Sequence, residues 1–142
     1  MKKKILLLTG TTGFVGYKFL SFALSNGFSV VDILREKNKK NKKIRKLRNA
    51  YPKKYKNIFF ANNNNLSSQL KNIKADYFIN FATLYSNNHS HSQIADFIES
   101  NILFPTLIYD IINNKIKKMI NFGSMMQHPK DEKLESKNLY AA

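Results

Sequence analysis

Three glycines near the N-terminus, Gly10, Gly13 and Gly16, have the spacing needed to hold a phosphate group. They follow the apolar run Ile5–Leu8 and precede the apolar stretch Phe14–Leu24, which predicts a buried strand, a glycine turn and a helix. The first glycine then permits a tight turn, the second lets backbone N–H groups approach a pyrophosphate, and the third lets the helix pack closely on the strand. The anion lies at the positive end of the helix dipole. The alternative is an ordinary glycine-rich turn.

The remainder of the chain alternates between strand and helix patterns, which predicts an α/β fold. Predicted strands cover Lys4–Thr9, Phe28–Leu34, Ile58–Ala61, Tyr77–Ala82 and Lys118–Phe122, and predicted helices cover Phe14–Ser25, Lys39–Ala50 (helix or loop), Leu66–Ile73 and Ile94–Asn113, the last interrupted by Pro105. Such alternation indicates a Rossmann-type, doubly wound parallel sheet in the order 3-2-1-4-5, ending after about the fifth strand. The ligand crevice is expected at the carboxyl ends of strands 1 and 4, where the winding reverses.

The composition excludes some kinds of metal and disulfide site and leaves two explanations for the basic charge. The 142 residues fit one domain, and the absence of cysteine excludes disulfides and thiolate metal sites. The net charge is +15, and the segment from Arg35 to Lys56 is rich in lysine and arginine, with Glu36 as its only acid. Nucleic acid or a solvated basic surface could explain that segment, and the lysine- and asparagine-rich composition of the whole chain favours the second. His89 and His91 have no clustered carboxylate, so no metal site is predicted.

Three segments now combine: the turn Thr9–Gly16, the predicted strand Asp76–Ala82, and Phe122-Gly123-Ser124 followed by Tyr140. Together they resemble the extended short-chain dehydrogenase/reductase family of NAD(P)-dependent nucleotide-sugar epimerases, dehydratases and reductases, and the resemblance covers the whole chain. The segment Phe122–His128 is most similar to the CDP-sugar 4-reductase branch, the abequose and paratose synthases.

The resemblance implies a catalytic pair, Ser124 and Tyr140. Ser124 is expected to hydrogen-bond the C4 oxygen of the sugar, and Tyr140 to exchange a proton with that oxygen during hydride transfer. Tyrosine is a poor base at neutral pH, so the family motif places a lysine four residues later to favour the phenolate. In this chain that lysine would be the second residue beyond Ala142. We therefore expect the N-terminal part of a larger enzyme, inactive alone, with a non-catalytic NADP(H)-binding module or an inactive gene fragment as the alternative.

The resemblance also implies which residues contact the cofactor. Members that prefer NAD carry an acid at the end of strand 2, but that position is Leu34 here, followed by Arg35. Asp32, two residues earlier, could serve only if the register shifted, whereas Arg35 suits a 2′-phosphate, so NADP(H) is favoured over NAD(H). Asn101 resembles a position that hydrogen-bonds within the fold near the active site. The expected cofactor-binding residues are Gly10, Thr12, Gly13, Phe14, Val15, Gly16, Arg35, Asn62 (with Asn63 as an alternative), Ala82 and Thr83.

The expected setting follows from the same resemblance. The full-length relative would act on a nucleotide sugar in the cytoplasm, in the synthesis of surface-polysaccharide sugars. The chain has no apolar run long enough for a signal peptide or a membrane span, so no membrane partner is expected. Strand 5 would be left partly uncovered in a chain of this length, which predicts low solubility or self-association through the exposed sheet.

Overall fold

The fold is a five-stranded parallel sheet, described here from a computed structural model for residues 4–86 and 89–122. The strand order β3-β2-β1-β4-β5 confirms the order predicted from the sequence. Every neighbouring pair is parallel; in the central pairs, Leu8 of β1 lies between Asp32 of β2 and Ile79 of β4. The strands are β1 Ile5–Thr9, β2 Ser29–Arg35, β3 Tyr55–Phe60, β4 Tyr77–Asn80 and β5 Lys118–Asn121.

Helices cover both faces of the sheet. On one face, Leu20 and Leu24 of the first helix and Ile44 of the second pack against Leu8 and Leu34. On the other face, buried residues of the third and fifth helices pack around Phe78 of β4. No helix within the described ranges is long and apolar enough to cross a membrane. The helices are α1 Phe14–Ser25, α2 Lys42–Ala50, α3 Leu66–Leu70, α4 Ile94–Ile98 and α5 Phe104–Ile112.

Helix α1 begins and ends where the sequence predicts. Its C-terminal boundary is set by Gly27, whose φ of +85° lies in the left-handed region that side chains with a Cβ rarely adopt. The N–H of Phe28 then donates to the carbonyl of Ala23 at 3.0 Å, which satisfies a carbonyl of the last turn. This turn returns the chain directly into β2.

The basic segment forms a helix over Lys42–Ala50, preceded by a 3₁₀ turn at Glu36–Lys40. The side chain of Asn41 caps α2, because its Oδ1 accepts from the N–H groups of Lys43 and Ile44. Ile44 and Leu47 are the buried residues of this helix, while most of its lysines and arginines are exposed. This helix therefore packs on the protein through its two buried apolar residues and presents most of its basic side chains to the solvent.

Strand β3 begins at Tyr55, three residues before the predicted start at Ile58. The polar residues Lys56 and Asn57 interrupt the apolar pattern by which a strand is recognised in the sequence. They are tolerated because β3 is an edge strand, on which Lys56 is exposed. Tyr55 is buried despite its hydroxyl, because that hydroxyl has a hydrogen-bond partner in Asp32. The other strand boundaries differ from the prediction by one or two residues at an end.

The long helix predicted over Ile94–Asn113 is wrong in one respect, because a π turn at Glu99–Leu103 separates α4 from α5. Pro105 lies in the first turn of α5 and has no N–H for the carbonyl of Asn101, four residues earlier. The wider turn adds a residue and rotates the faces of the two helices relative to each other. Ile98, just before this turn, and Ile102, within it, are exposed.

Candidate dinucleotide-binding site

A cavity of about 590 Å³ opens at the carboxyl ends of β1 and β4, where the crevice is predicted. Asn62 lies instead in an adjoining cavity of about 310 Å³, which also contains Asn63 and shares Arg35 with the first. The predicted cofactor positions therefore lie around two adjoining cavities, which share Arg35 in their lining. The sequence-predicted cofactor residues that line the larger cavity are Gly10, Thr12, Gly13, Phe14, Val15, Gly16, Arg35, Ala82 and Thr83.

The glycine turn is packed backbone against backbone. Gly10 has a φ of +70°, and a Cβ placed on it would lie 2.3 Å from the backbone nitrogen of Ala82. A Cβ on Gly16 would lie 2.4 Å from the carbonyl oxygen of Gly10, so the absence of a side chain at Gly16 permits close contact between α1 and the turn that follows β1. The turn is closed by the N–H of Gly13, which donates to the carbonyl of Gly10 at 3.1 Å.

The N-terminus of α1 faces the larger cavity without a side-chain cap. Gly13 is the N-cap residue, no side chain accepts from the first N–H groups, and the first turn contains no acid. Those N–H groups have no carbonyl partner within a helix, so they are available to an anion. The side chains beside them, Phe14 and Val15, are 80% and 57% exposed, which leaves apolar surface for a ligand to cover.

The end of β2 presents positive charge to the same cavity. Leu34, at the position of the acid in members that prefer NAD, is buried and apolar. Arg35 is exposed, and Lys37 and Asn38 of the following 3₁₀ turn also line the cavity. No carboxylate lines this cavity among the described residues; in the adjoining one, Asp96 and Glu99 do.

Asp32 is not available to a ribose hydroxyl, which removes the alternative that required a shifted register. It pairs with Leu8 in the sheet and has no exposed surface. Its Oδ2 accepts from the Thr11 hydroxyl and from the Tyr55 hydroxyl, each at 2.6 Å. Burial raises the pKa of the Asp32 carboxyl to about 7, although the two hydrogen bonds act in the opposite direction. Burial and the adjacent Asp32 also raise the pKa of Tyr55.

Asn80 is a cavity residue that sequence reasoning missed. Its Oδ1 accepts from the Thr9 hydroxyl and from the N–H of Ala82, and its Nδ2 donates to Asn121 Oδ1 at 2.7 Å. One amide thus joins the ends of β1, β4 and β5. The available signal is a polar residue at the end of an otherwise apolar strand, which needs a partner when it is buried.

The predicted role of Asn101 within the fold agrees with its contacts. Asn101 lies in the π turn, and its Oδ1 accepts from the N–H of Leu84 at 2.6 Å while its Nδ2 donates to the carbonyl of the same residue at 3.0 Å. Thr83 also contacts this amide through its hydroxyl at 3.4 Å. The helix therefore fixes the backbone of the loop that borders the nicotinamide side of the predicted site.

The predicted catalytic residues Ser124 and Tyr140 lie outside the described residues. Within the described ranges, no group of three or more histidines, aspartates or glutamates could hold a metal ion. What the described site offers is a phosphate-binding turn, an uncapped helix N-terminus and a basic strand end. These features define a dinucleotide-binding Rossmann domain.

Comparison with known proteins gives the family. A sequence model of the NAD dependent epimerase/dehydratase family matches residues 6–142, and the chain belongs to that family. No protein of curated function matches this sequence. The match, together with similar solved structures, supports the predicted extended short-chain dehydrogenase/reductase family and an NAD(P) nucleotide as cofactor.

Solved structures share the fold at low identity. A protein from Burkholderia multivorans with bound NADP, named as a short-chain dehydrogenase/reductase, is 17% identical, with a TM-score of 0.81 over 98% of this chain and 66% of its own. Serine dehydrogenase from Escherichia coli is 16% identical, with a TM-score of 0.74 over 90% and 66%. UDP-glucose-4-epimerase from Stenotrophomonas maltophila, with bound NAD and formylated UDP-arabinopyranose, is 15% identical, with a TM-score of 0.72 over 90% and 39%. This chain therefore spans well under half of the epimerase.

Proposed function

We propose that this chain binds NADP(H) in the crevice between β1 and β4, as the dinucleotide-binding part of an enzyme that transfers hydride at a carbon of a nucleotide sugar. The observation that carries the proposal is the uncapped N-terminus of α1 behind a turn that has no room for a Cβ at Gly10. When bound, the nicotinamide supplies or accepts the hydride. The family match and the dinucleotides in the similar structures support this reading.

The residues present fit the cofactor at three positions. The N–H groups at the start of α1, beside Phe14 and Val15, would hold the pyrophosphate. Asn62, at the end of β3, would hydrogen-bond the adenine. Ala82 and Thr83 would line the nicotinamide side, where Asn101 holds the adjoining backbone.

Preference for NADP(H) rests on Arg35. A guanidinium can form two charge-assisted hydrogen bonds with a 2′-phosphate, and Lys37 adds positive charge to the same wall. Asp96 and Glu99 border the adjoining cavity and oppose this preference in part. We place the phosphate on the side of Arg35 that faces the larger cavity, because no described carboxylate lines it.

Titration calorimetry with NADPH and NADH tests the proposal. We expect Arg35→Ala to weaken NADPH binding by at least about 10- to 100-fold, the value of one of its two hydrogen bonds to a charged group, and to leave NADH binding within about twofold. Lys46→Ala is the matched control, since Lys46 is an exposed cation of α2 that does not line either cavity. Equal losses for both dinucleotides would refute the assignment of Arg35, and no binding of either would refute the function.

The reaction and the substrate are proposed on the resemblance. Ser124 and Tyr140 would act at the C4 oxygen of a nucleotide sugar, with the abequose and paratose synthases as the most similar branch and surface-polysaccharide sugar synthesis as the setting. Sequencing the DNA after the Ala142 codon tests this part. A lysine two codons later, followed by a sugar-binding region, would support the assignment, whereas stop codons in every frame would support a non-catalytic NADP(H)-binding module.

A further inference from the structure

Asp32 occupies a place in the core where an apolar side chain would be expected. It lies in the middle of β2 between Val30 and Leu34 on the same face of the sheet, and Leu8 is its neighbour on β1. Its side chain is fully buried, and its Oδ1 has no hydrogen-bond partner within the described residues. A buried carboxyl with one unpartnered oxygen destabilises a core, so the presence of Asp32 here requires an explanation. The two hydrogen bonds to its other oxygen provide one.

The first of these bonds reaches the phosphate-binding turn. Thr11 follows Gly10, its side chain is buried, and its hydroxyl donates to Asp32 Oδ2 at 2.6 Å. The residues on both sides of it, Gly10, Thr12 and Gly13, line the larger cavity. Thr11 therefore joins the backbone that borders the cavity to the centre of β2.

The second bond comes from the opposite direction. Tyr55 on β3 donates to the same Oδ2 at 2.6 Å, and no described hydrogen bond links Tyr55 to the turn. The two hydroxyls therefore donate to the same oxygen at the same distance, but only Thr11 belongs to the turn. This difference provides an internal control.

We propose that Asp32 is a positioning residue for phosphate binding, which acts through Thr11 to hold the Gly10–Gly13 backbone ready for a pyrophosphate. A turn containing two glycines has more conformational freedom to lose than other backbone, and a turn that is fixed beforehand loses less of it on binding. The inference rests on the proposed dinucleotide-binding function and deepens it, because it assigns a role to residues that contact neither cavity.

The test compares Thr11→Val with Tyr55→Phe. Each substitution removes one hydroxyl that donates a hydrogen bond to the Asp32 carboxyl. In calorimetric titrations we expect Thr11→Val to weaken NADPH and NADH binding equally, by about tenfold, because both dinucleotides contain the pyrophosphate. Tyr55→Phe should stay within about twofold of the wild type. Urea unfolding of both variants would show whether their losses of stability are comparable.

Two outcomes of the titrations overturn the inference while the proposed function stands. One is wild-type affinity in Thr11→Val, and the other is an equal loss of affinity in Tyr55→Phe, which would indicate general destabilisation. If the wild-type chain binds neither dinucleotide, the proposed function fails and this inference fails with it.

A second readout needs no ligand. The amide resonances of Gly10, Thr11 and Gly13 should shift with pH around neutrality in the wild type, and Asp32→Asn should abolish the shift. Tyr55 on β3 is the titratable group in contact with Asp32, Arg48 of α2 acts electrostatically on Tyr55, and the buried residues that β1 and α1 contribute to this cluster are apolar. A shift that persists unchanged in Asp32→Asn would contradict the coupling between the carboxyl and the turn.

Discussion

Replacing Gly10 with alanine is expected to destabilise the fold by at least about 3 kcal/mol and to weaken dinucleotide binding more than about 100-fold. Two effects add at this residue. Its φ of +70° disfavours any side chain by about 1–2 kcal/mol, and the new Cβ would lie 2.3 Å from backbone atoms of Phe81 and Ala82. Because the obstacle is backbone of the segment after β4, relief requires the turn and that segment to separate, which distorts both walls of the crevice.

Gly27 and Gly16 separate these two effects. Gly27 has a φ of +85° with nothing within 4 Å of the position that a Cβ would take, so Gly27→Ala should cost only about 1 kcal/mol and leave binding unchanged. Gly16 has no positive φ, but its Cβ would lie 2.4 Å from the carbonyl oxygen of Gly10, so Gly16→Ala reports the clash alone. Urea unfolding and calorimetry of the three variants provide the comparison. A Gly10→Ala variant no less stable than Gly27→Ala would show that the turn is not closely packed.

Asp32→Asn is expected to remove a dependence of stability on pH that runs opposite to that of most carboxyl groups. The pKa of Asp32 is about 7 in the folded chain and near 4 when unfolded, so the fold binds more protons between these values. The free energy of unfolding contributed by this group is therefore fully present below about pH 4, and it declines as pH rises through about 7. Over that range the group accounts for about 4 kcal/mol, which Asp32→Asn should remove.

The measurement is urea unfolding of the wild type and the variant from pH 5 to pH 8.5. Relative to the wild type, Asp32→Asn should become more stable as pH rises from 5 to about 7, since it avoids a buried negative charge, and the difference should level off above that pH. Asp110→Asn is the matched control, because Asp110 is an exposed carboxyl on α5. A difference between Asp32→Asn and the wild type that does not vary with pH would mean that the carboxyl keeps an ordinary pKa in the fold.

The fold and the glycine turn before α1 could be predicted because they depend on local patterns. The apolar run of β1, the glycine spacing and the Asn26-Gly27 helix end each specify one conformation. Strand order followed from the right-handed connections between parallel strands. The early start of β3 could not be predicted in the same way, because Tyr55 is buried only through its contact with a residue of another strand.

Two features of the site depend on contacts between distant residues, and local patterns do not predict them. Asp32 is a candidate ribose ligand in the sequence because its distance from Gly27 is close to that of the expected acid, whereas strand alternation directs its side chain into the core beside Leu8. Asn80 and Asn121 meet only when β4 and β5 pair, so no local pattern indicates their hydrogen bond. The π turn ends at Leu103, two residues before Pro105, and it interrupts the helix predicted over Ile94–Asn113.

The two outer strands of the described sheet both carry side chains that affect pairing with a further strand. At one side, β3 exposes Lys56, and a charge of this kind discourages pairing with another strand. At the other side, Ile120 of β5 and Phe122 are 45% and 55% exposed. β5 also carries an exposed lysine, Lys118, so each outer strand of the described sheet presents a positive charge that discourages the addition of a further strand.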